Sequence, residues 1–242
     1  MKKSVVLVYF PQRNMKLSYY NDQFDLEKGD IVFVEGKLEG LRGRVLEVNY
    51  NFKIKLSDYK KVIAVADNNI KGRFYNGESH FVTFDNKALP VSKVLTWFKA
   101  PDKEDDEYVS GTDDFSFELE NFKGLEATKK VCEDGNDYYI NDRVKYLCID
   151  NGRGFAVVSG REHYRVEFVL EDGKISELMC SCYCSGTCKH EIAAFLQLKE
   201  TLKKIKKSYE DLYTESRYFV AVEKDLFISL VIDSKENGYI EV

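Results

Sequence analysis

The chain has 242 residues, is 44% hydrophobic and 32% charged, and carries a formal net charge of -5. Three prolines, fifteen glycines and a 14% aromatic share exclude collagen-like and wholly disordered chains, and the length allows one or two cored domains. No apolar run approaches the ~18 residues of a membrane-spanning helix, and the opening Lys2-Lys3-Ser4 before V-V-L-V-Y-F lacks the length and cleavage site of a secretory signal. The expectation is a first β-strand in a cytoplasmic protein.

The first hundred residues read as β-rich. Alternating apolar positions predict strands over Val5–Phe10, Lys16–Tyr20, Asp30–Glu35, Gly43–Tyr50 and Val62–Ala66, punctuated by Gly36, Gly40 and Gly43. The stretch K-G-D-I-V-F-V-E-G-K-L-E-G-L-R-G-R-V-L-E-V resembles the KOW/Tudor-type small β-barrels, which implies a barrel-like fold for this part. Pro90 followed by Val91, Val94, Leu95 and Phe98 has the spacing of a short helix, with Trp97 expected as a core or interdomain anchor.

Charge is unevenly spread. Residues 1–100 hold 17 Lys/Arg against 11 Asp/Glu, whereas residues 101–120 hold one Lys against nine acids. The block P-D-K-E-D-D-E-Y-V-S-G-T-D-D reads as a solvated acidic linker. The expected division is a β-rich domain over 1–100, a linker over 101–116 and a second domain over 117–242.

In that second part, Phe117–Cys132 is expected to be helical, ending near Asp134-Gly135. Strands follow over Arg143–Ile149, Gly154–Val158, Tyr164–Leu170 and Lys174–Met179, and the D-N-G and E-D-G turns between them are hairpin signals. Phe195, Leu198, Leu202, Ile205, Tyr209 and Leu212 form one apolar stripe, so a single helix is expected over Glu191–Leu212. Strands over Tyr218–Val222 and Leu226–Ile232 close the α+β reading.

Four of the six cysteines fall between residues 180 and 188. Neighbours that close cannot all pair in sound disulfide geometry, and clustering in a chain without a secretory signal points to metal or redox chemistry. Zinc takes four soft or borderline ligands, and a structural site takes all four from the protein. Cys180 and Cys182 share one face of a strand, while Cys188 and His190 follow the Ser185-Gly186-Thr187 turn. The set Cys182, Cys184, Cys188 and His190 has the same C-x-C…C-x-H form with a shorter spacer. The longer loop between Cys182 and Cys188 turns without strain, which favours the first set. Cys132 and Cys148 lie in apolar contexts and are expected as buried small hydrophobes.

C-x-C, a spacer and C-x-H leading into an apolar helix resembles the SWIM zinc finger. H-Y-R-V-E-F-V-L-E-D-G-K-I-S-E-L-M-C-S-C resembles the family's two-stranded lead-in, and C-K-H-E-I-A-A-F-L-Q-L its helix; the five-residue spacer stands at the short end for the family. The resemblance implies Cys180, Cys182, Cys188 and His190 as ligands of a zinc ion, and binding to DNA or to other proteins. A three-thiolate, one-imidazole site has no open coordination position and would be structural.

His80 after N-G-E-S and His163 in S-G-R-E-H-Y read as surface or capping histidines. The chain has no G-x-S-x-G elbow, phosphate-binding loop or dinucleotide fingerprint, so the expectation is a non-catalytic adaptor. Basic residues interleaved with aromatics suit a phosphate-tracking surface. Lys53, Lys55, Lys60, Lys61, Lys71 and Arg73 stand among Tyr50, Phe52, Tyr59 and Phe74, with Lys37, Arg42 and Arg44 in the glycine loop. Lys199, Lys203, Lys206 and Lys207 on the long helix form a second candidate patch. Nucleic acid, DNA ahead of RNA, is the expected partner. A protein partner docked on the helix or barrel is the alternative, and neither a membrane nor a small-molecule substrate is expected.

Overall fold

The computed structural model describes residues 2–98, 115–182, 184–232 and 239–241. Most of the acidic stretch expected as a linker, residues 101–114, lies outside them. The fold is α+β, and its described part comprises two antiparallel sheets, a two-strand parallel pair and five α-helices.

The chain forms two compact units, and they are interleaved in sequence. One contains the residues up to Ile70, the next helix from Ser92, and the π-helical turn Ile228–Ile232; the other contains Lys71–Val91, the chain from Phe117 through Phe227, and the strand at Tyr239–Glu241. This partition departs from the continuous 1–100 and 117–242 division expected from charge. The reason is strand pairing: His80–Thr83 joins the sheet of the second unit.

The first unit is built on β1 (Ser4–Phe10), β2 (Met15–Asn21), β3 (Ile31–Val34), β4 (Gly43–Asn49) and β5 (Val62–Val65), ordered β2-β1-β4-β3-β5. Alternation in β1 sends Val6, Val8 and Phe10 into a core shared with Tyr19, Val32, Val45 and Val62. Gly43 is required there, because a Cβ would lie 2.3 Å from Val8 Cγ1 and 2.8 Å from the Phe10 ring. A bridge between Tyr20 and Lys61, with Tyr20 N donating to Lys60 O at 2.9 Å, brings the two edges of the sheet together. Helix α1 (Val91–Phe98) buries Trp97 fully, and its indole N–H donates to Asp67 O at 2.6 Å. Trp97 is thus a core anchor, and truncating such a residue typically costs about 3–5 kcal/mol.

The second unit begins with β6 (Lys71–Arg73), β7 (Tyr75–Asn76) and β8 (His80–Thr83), then β9 (Phe117–Glu118) and helix α2 (Lys129–Ile140). Strands β10 (Val144–Asp150), β11 (Arg153–Ser159), β12 (His163–Glu171) and β13 (Lys174–Cys180) form the expected meander. Its hairpin turns hold Asn151 (φ 48°) with Gly152 (φ 87°), and Asp172 (φ 49°) with Gly173 (φ 77°), the left-handed pairs that two-residue hairpins demand. Helices α3 (Lys189–Ser208) and α4 (Glu210–Ser216) follow, then β14 (Tyr218–Glu223), α5 (Lys224–Phe227) and β15 (Tyr239–Glu241). The eight-stranded sheet runs β7-β8-β14-β10-β11-β12-β13-β9, while β15 pairs in parallel with β6. Its core packs Leu147, Ile149, Ala156, Val166 and Phe219 against Ala194, Phe195 and Leu198 of α3.

Four local expectations are corrected. Residues 117–132 are not one helix: Phe117–Glu118 is an edge strand, and the helix begins at Lys129, with Thr128 Oγ1 accepting from Val131 N. Gly135 does not end that helix but lies inside it, where a Cβ would stand 2.4 Å from Ile192 Cβ of α3, so glycine permits close α2–α3 packing. The Leu226–Ile232 strand is instead helical, because the buried Glu223 carboxylate accepts from Asp225 N (3.1 Å) and Leu226 N (2.8 Å) and turns the chain. The long helix breaks at Tyr209 into α3 and α4.

Candidate metal centre

Hairpin β12–β13 and the start of α3 bring the cysteine-rich segment to one corner of the second unit. The β13 ladder pairs Cys180 with Val166, and Ser181 extends it by donating its N–H to Arg165 O at 2.9 Å and accepting from Arg165 N at 2.9 Å through its hydroxyl. The chain then turns through Cys182, and Cys188 enters α3 as its N-cap residue. Cys188 N donates to Glu191 Oε2 at 2.7 Å, the reach-back contact of a capping box. Glu191 is itself buried, and burial raises its carboxyl pKa.

Cys180 Sγ lies 3.8 Å and Cys188 Sγ 3.7 Å from His190 Nδ1. The ligand atoms of Cys180, Cys182, Cys188 and His190 all lie within 4.8 Å of one another. This cluster can hold a metal ion. Cys180, Cys188 and His190 are buried at 7%, 5% and 4% exposure, and Cys182 is half-buried. Cys184 is exposed, with Sγ 3.4 Å from Cys182 Sγ.

Comparison with family models, with curated proteins and with solved structures returns no match for this chain. The chemistry of the corner is therefore read from its own geometry.

Burial and the neighbouring Lys189 charge lower the His190 pKa to about 4, so at ordinary pH the ring is neutral and has a nitrogen lone pair to offer a metal. Burial pushes the Cys182 thiol up to about 12. The Cys188 thiol is raised too, first by its contact with Cys180 and then by burial. Without a cation the Cys182 and Cys188 thiols stay protonated, and a metal that binds must displace those protons.

Two aromatic residues hold the imidazole. The Tyr164 ring stacks on His190 at 3.9 Å between centroids and 17° between planes, and Tyr138 meets it edge-on at 5.5 Å. His190 Nε2 is buried with no hydrogen-bond partner among the described residues, so stacking takes the orienting role that an outer-nitrogen hydrogen bond often plays. Sequence reading places Tyr164 in a strand and gives Tyr138 no role. Their presence depends on β12 register and on the Gly135-enabled docking of α2.

The other histidines and cysteines fall elsewhere. His80 is buried rather than superficial: Val144 O lies 2.7 Å from its Nε2 and Ser79 Oγ 2.9 Å from its Nδ1. His163 is exposed, with Nδ1 2.9 Å from Ser159 Oγ. Cys148 is buried, and its thiol is pushed up to about 11 by burial. Cys132 is exposed on α2, contrary to the buried position expected.

The basic candidates divide between the two units. Lys53, Lys55 and Lys60 are exposed in the first unit, as is Tyr50, and Phe52 packs edge-on against Tyr20. Lys61 is already paired with Asp22 at 3.0 Å. Lys71, Arg73 and Phe74 belong to the second unit, where Phe74 is fully buried. On α3, Lys203, Lys206 and Lys207 are exposed, while Lys199 pairs with Glu120 Oε1 at 3.7 Å and also contacts Glu120 O.

Proposed function

We propose that this chain is a zinc-stapled, non-catalytic adaptor of the SWIM type that binds nucleic acid. The observation that carries the zinc reading is the convergence of three sulfurs and one imidazole nitrogen from β13, its following turn and the first turn of α3. Zinc bonds of about 2.3 Å to sulfur and about 2.0–2.1 Å to nitrogen make a tetrahedron with edges of roughly 3.5–3.8 Å. The 3.7 and 3.8 Å separations around His190 Nδ1 match that size. Cys180, Cys182, Cys188 and His190 fill four positions, so the ion would be structural, holding the hairpin to the helix. The full ligand set argues against catalysis at this ion, and both ring nitrogens of His80 are committed to protein partners.

The nucleic-acid reading draws support from exposed lysines in each unit and from the family resemblance of the C-x-C…C-x-H segment. A protein partner on the same surfaces is the competing reading. Zinc content and oligonucleotide binding of the full chain, measured together, test both. The expected result is one zinc per chain and an affinity that falls steeply with salt through counterion release. A zinc-loaded protein that binds no oligonucleotide at low salt transfers the function to the protein-docking reading.

A further inference from the structure

A groove of about 1030 Å³ lies in the second unit between the outer face of α3, the end of α4 and the turns of the β10–β11 and β12–β13 hairpins. Its volume stands at the top of the roughly 300–1,000 Å³ range of small-ligand sites. Lys203 and Lys206 on α3 and Arg217 just after α4 stand on its wall. None of the three forms an ion pair among the described residues, whereas Lys199 at the same wall is matched by Glu120. Asp172 is the other acid present, so the groove is cationic.

Its lining is apolar as well as charged. Leu119, Leu170, Leu202 and Tyr213 supply that surface, and the Tyr213 ring is fixed edge-on against Phe219 at 5.5 Å and 70°. Burial raises the Tyr213 pKa, so the ring stays neutral. Unpaired cations over an apolar, aromatic-bearing concavity suit a ligand that carries phosphate and a bare ring face together. A duplex presents phosphates on a convex cylinder with its bases stacked inside, while a single strand offers both groups at once.

We propose that this groove binds a short single-stranded stretch of nucleic acid, its phosphates on Lys203, Lys206 and Arg217 and an unstacked base against Leu202 and Tyr213. The proposal rests on the nucleic-acid reading above and assigns it a site and a strand state. It makes the α3–α4 groove, not Lys53, Lys55 and Lys60 of the first unit, the principal contact.

The test uses the full zinc-loaded chain and fluorescence anisotropy of labelled single-stranded DNA, single-stranded RNA and duplex DNA of one sequence, at about 50 and about 200 mM salt. Single strands are expected to bind more tightly than the duplex. Lys203→Glu with Arg217→Glu should weaken single-strand binding at least about tenfold, and lower the salt slope by roughly 1.4 for two lost phosphate contacts. Lys53→Glu with Lys55→Glu should change it by less than about twofold. The milder pair Lys203→Gln and Lys206→Gln, on exposed helix positions, should shift affinity in the same direction with zinc content and circular dichroism unchanged.

The proposal is overturned if the groove variants bind like the parent while the first-unit variant loses binding, an outcome that leaves the nucleic-acid reading intact. Preference for duplex also overturns it. Absence of all oligonucleotide binding at low salt removes the nucleic-acid reading and the groove assignment together. A polyglutamate peptide binding as tightly as the oligonucleotides sinks the base contact and points to an acidic protein partner.

Discussion

His190 and His80 sit in two corners of the same unit and differ in what their surroundings leave undone. Both are nearly buried, at 4% and 3% exposure, and burial lowers both pKa values to about 4. At the His80 corner each ring nitrogen has a protein partner, Ser79 Oγ and Val144 O. At the His190 corner one nitrogen faces two sulfurs and the other has no hydrogen-bond partner among the described residues. Burial and a low pKa are thus common to both histidines; what separates them is that His190 turns its Nδ1 toward two sulfurs, whereas both nitrogens of His80 meet oxygens.

The strongest way to break this comparison is to remove a ligand. Cys180→Ser, Cys188→Ser and His190→Ala should each abolish or severely weaken metal retention. Because metal affinity is linked to folding free energy in such sites, each should destabilise the second unit by several kcal/mol. Elemental analysis and thermal melts with and without a chelator read both effects. A ligand variant that melts like the parent, with full metal content, would dissolve the distinction between the two corners.

A smaller effect is expected at His80. Its folded pKa is about 4 against an ordinary 6.5, so the unfolded chain binds the extra proton between those values. Stability from the neutral, buried ring is therefore complete above about pH 6.5 and is lost as pH falls toward 4, to a limit of about 3 kcal/mol. His80→Gln should cost about 1–3 kcal/mol at neutral pH through lost hydrogen bonding, keep the metal, and flatten this part of the acid-side decline. Denaturation midpoints of parent and variant between pH 4 and 7, compared at matched metal content, check the sign. An unchanged difference across that range would show that His80 does not titrate there.

The smallest effect belongs to Cys184. Cys184→Ser should keep metal stoichiometry and shift stability by no more than about 0.5 kcal/mol, as for an exposed position. Loss of metal from Cys184→Ser together with retention in Cys180→Ser would instead select the shorter-spaced ligand set.

Much of the site was legible because its spacing is local. The C-x-C pair, the E-D-G hairpin and the apolar stripe after His190 lie within one continuous stretch, and period-two alternation located most strands. Legibility failed where long-range packing sets the outcome. Gly135 carries a turn signal, yet it lies mid-helix because Ile192 needs the space of its missing side chain. The short apolar run L-F-I-S-L-V-I fits strand or helix equally, and the choice is made by the Glu223 carboxylate capping Asp225 N and Leu226 N. His80 looked superficial because N-G-E-S precedes it, but β8 pairs with β14 and carries the ring inward. Cys132 followed the opposite path once the helix began at Lys129 rather than Phe117.

The β8–β14 pairing also bears on how the chain is made. Val82 finds its ladder partner in Ala221, so during vectorial synthesis β8 emerges long before the strand that covers its edge. β7 can pair with β8 at once, but the other edge of β8 must wait through the production of the whole meander, the donor cluster and α3. Such sequence-distant pairing slows folding and leaves the nascent chain open to wrong strand partners. A ribosome-stalled chain that ends before Tyr218 should accordingly expose β8 to protease, and protection of that strand should appear only after β14 has left the exit tunnel.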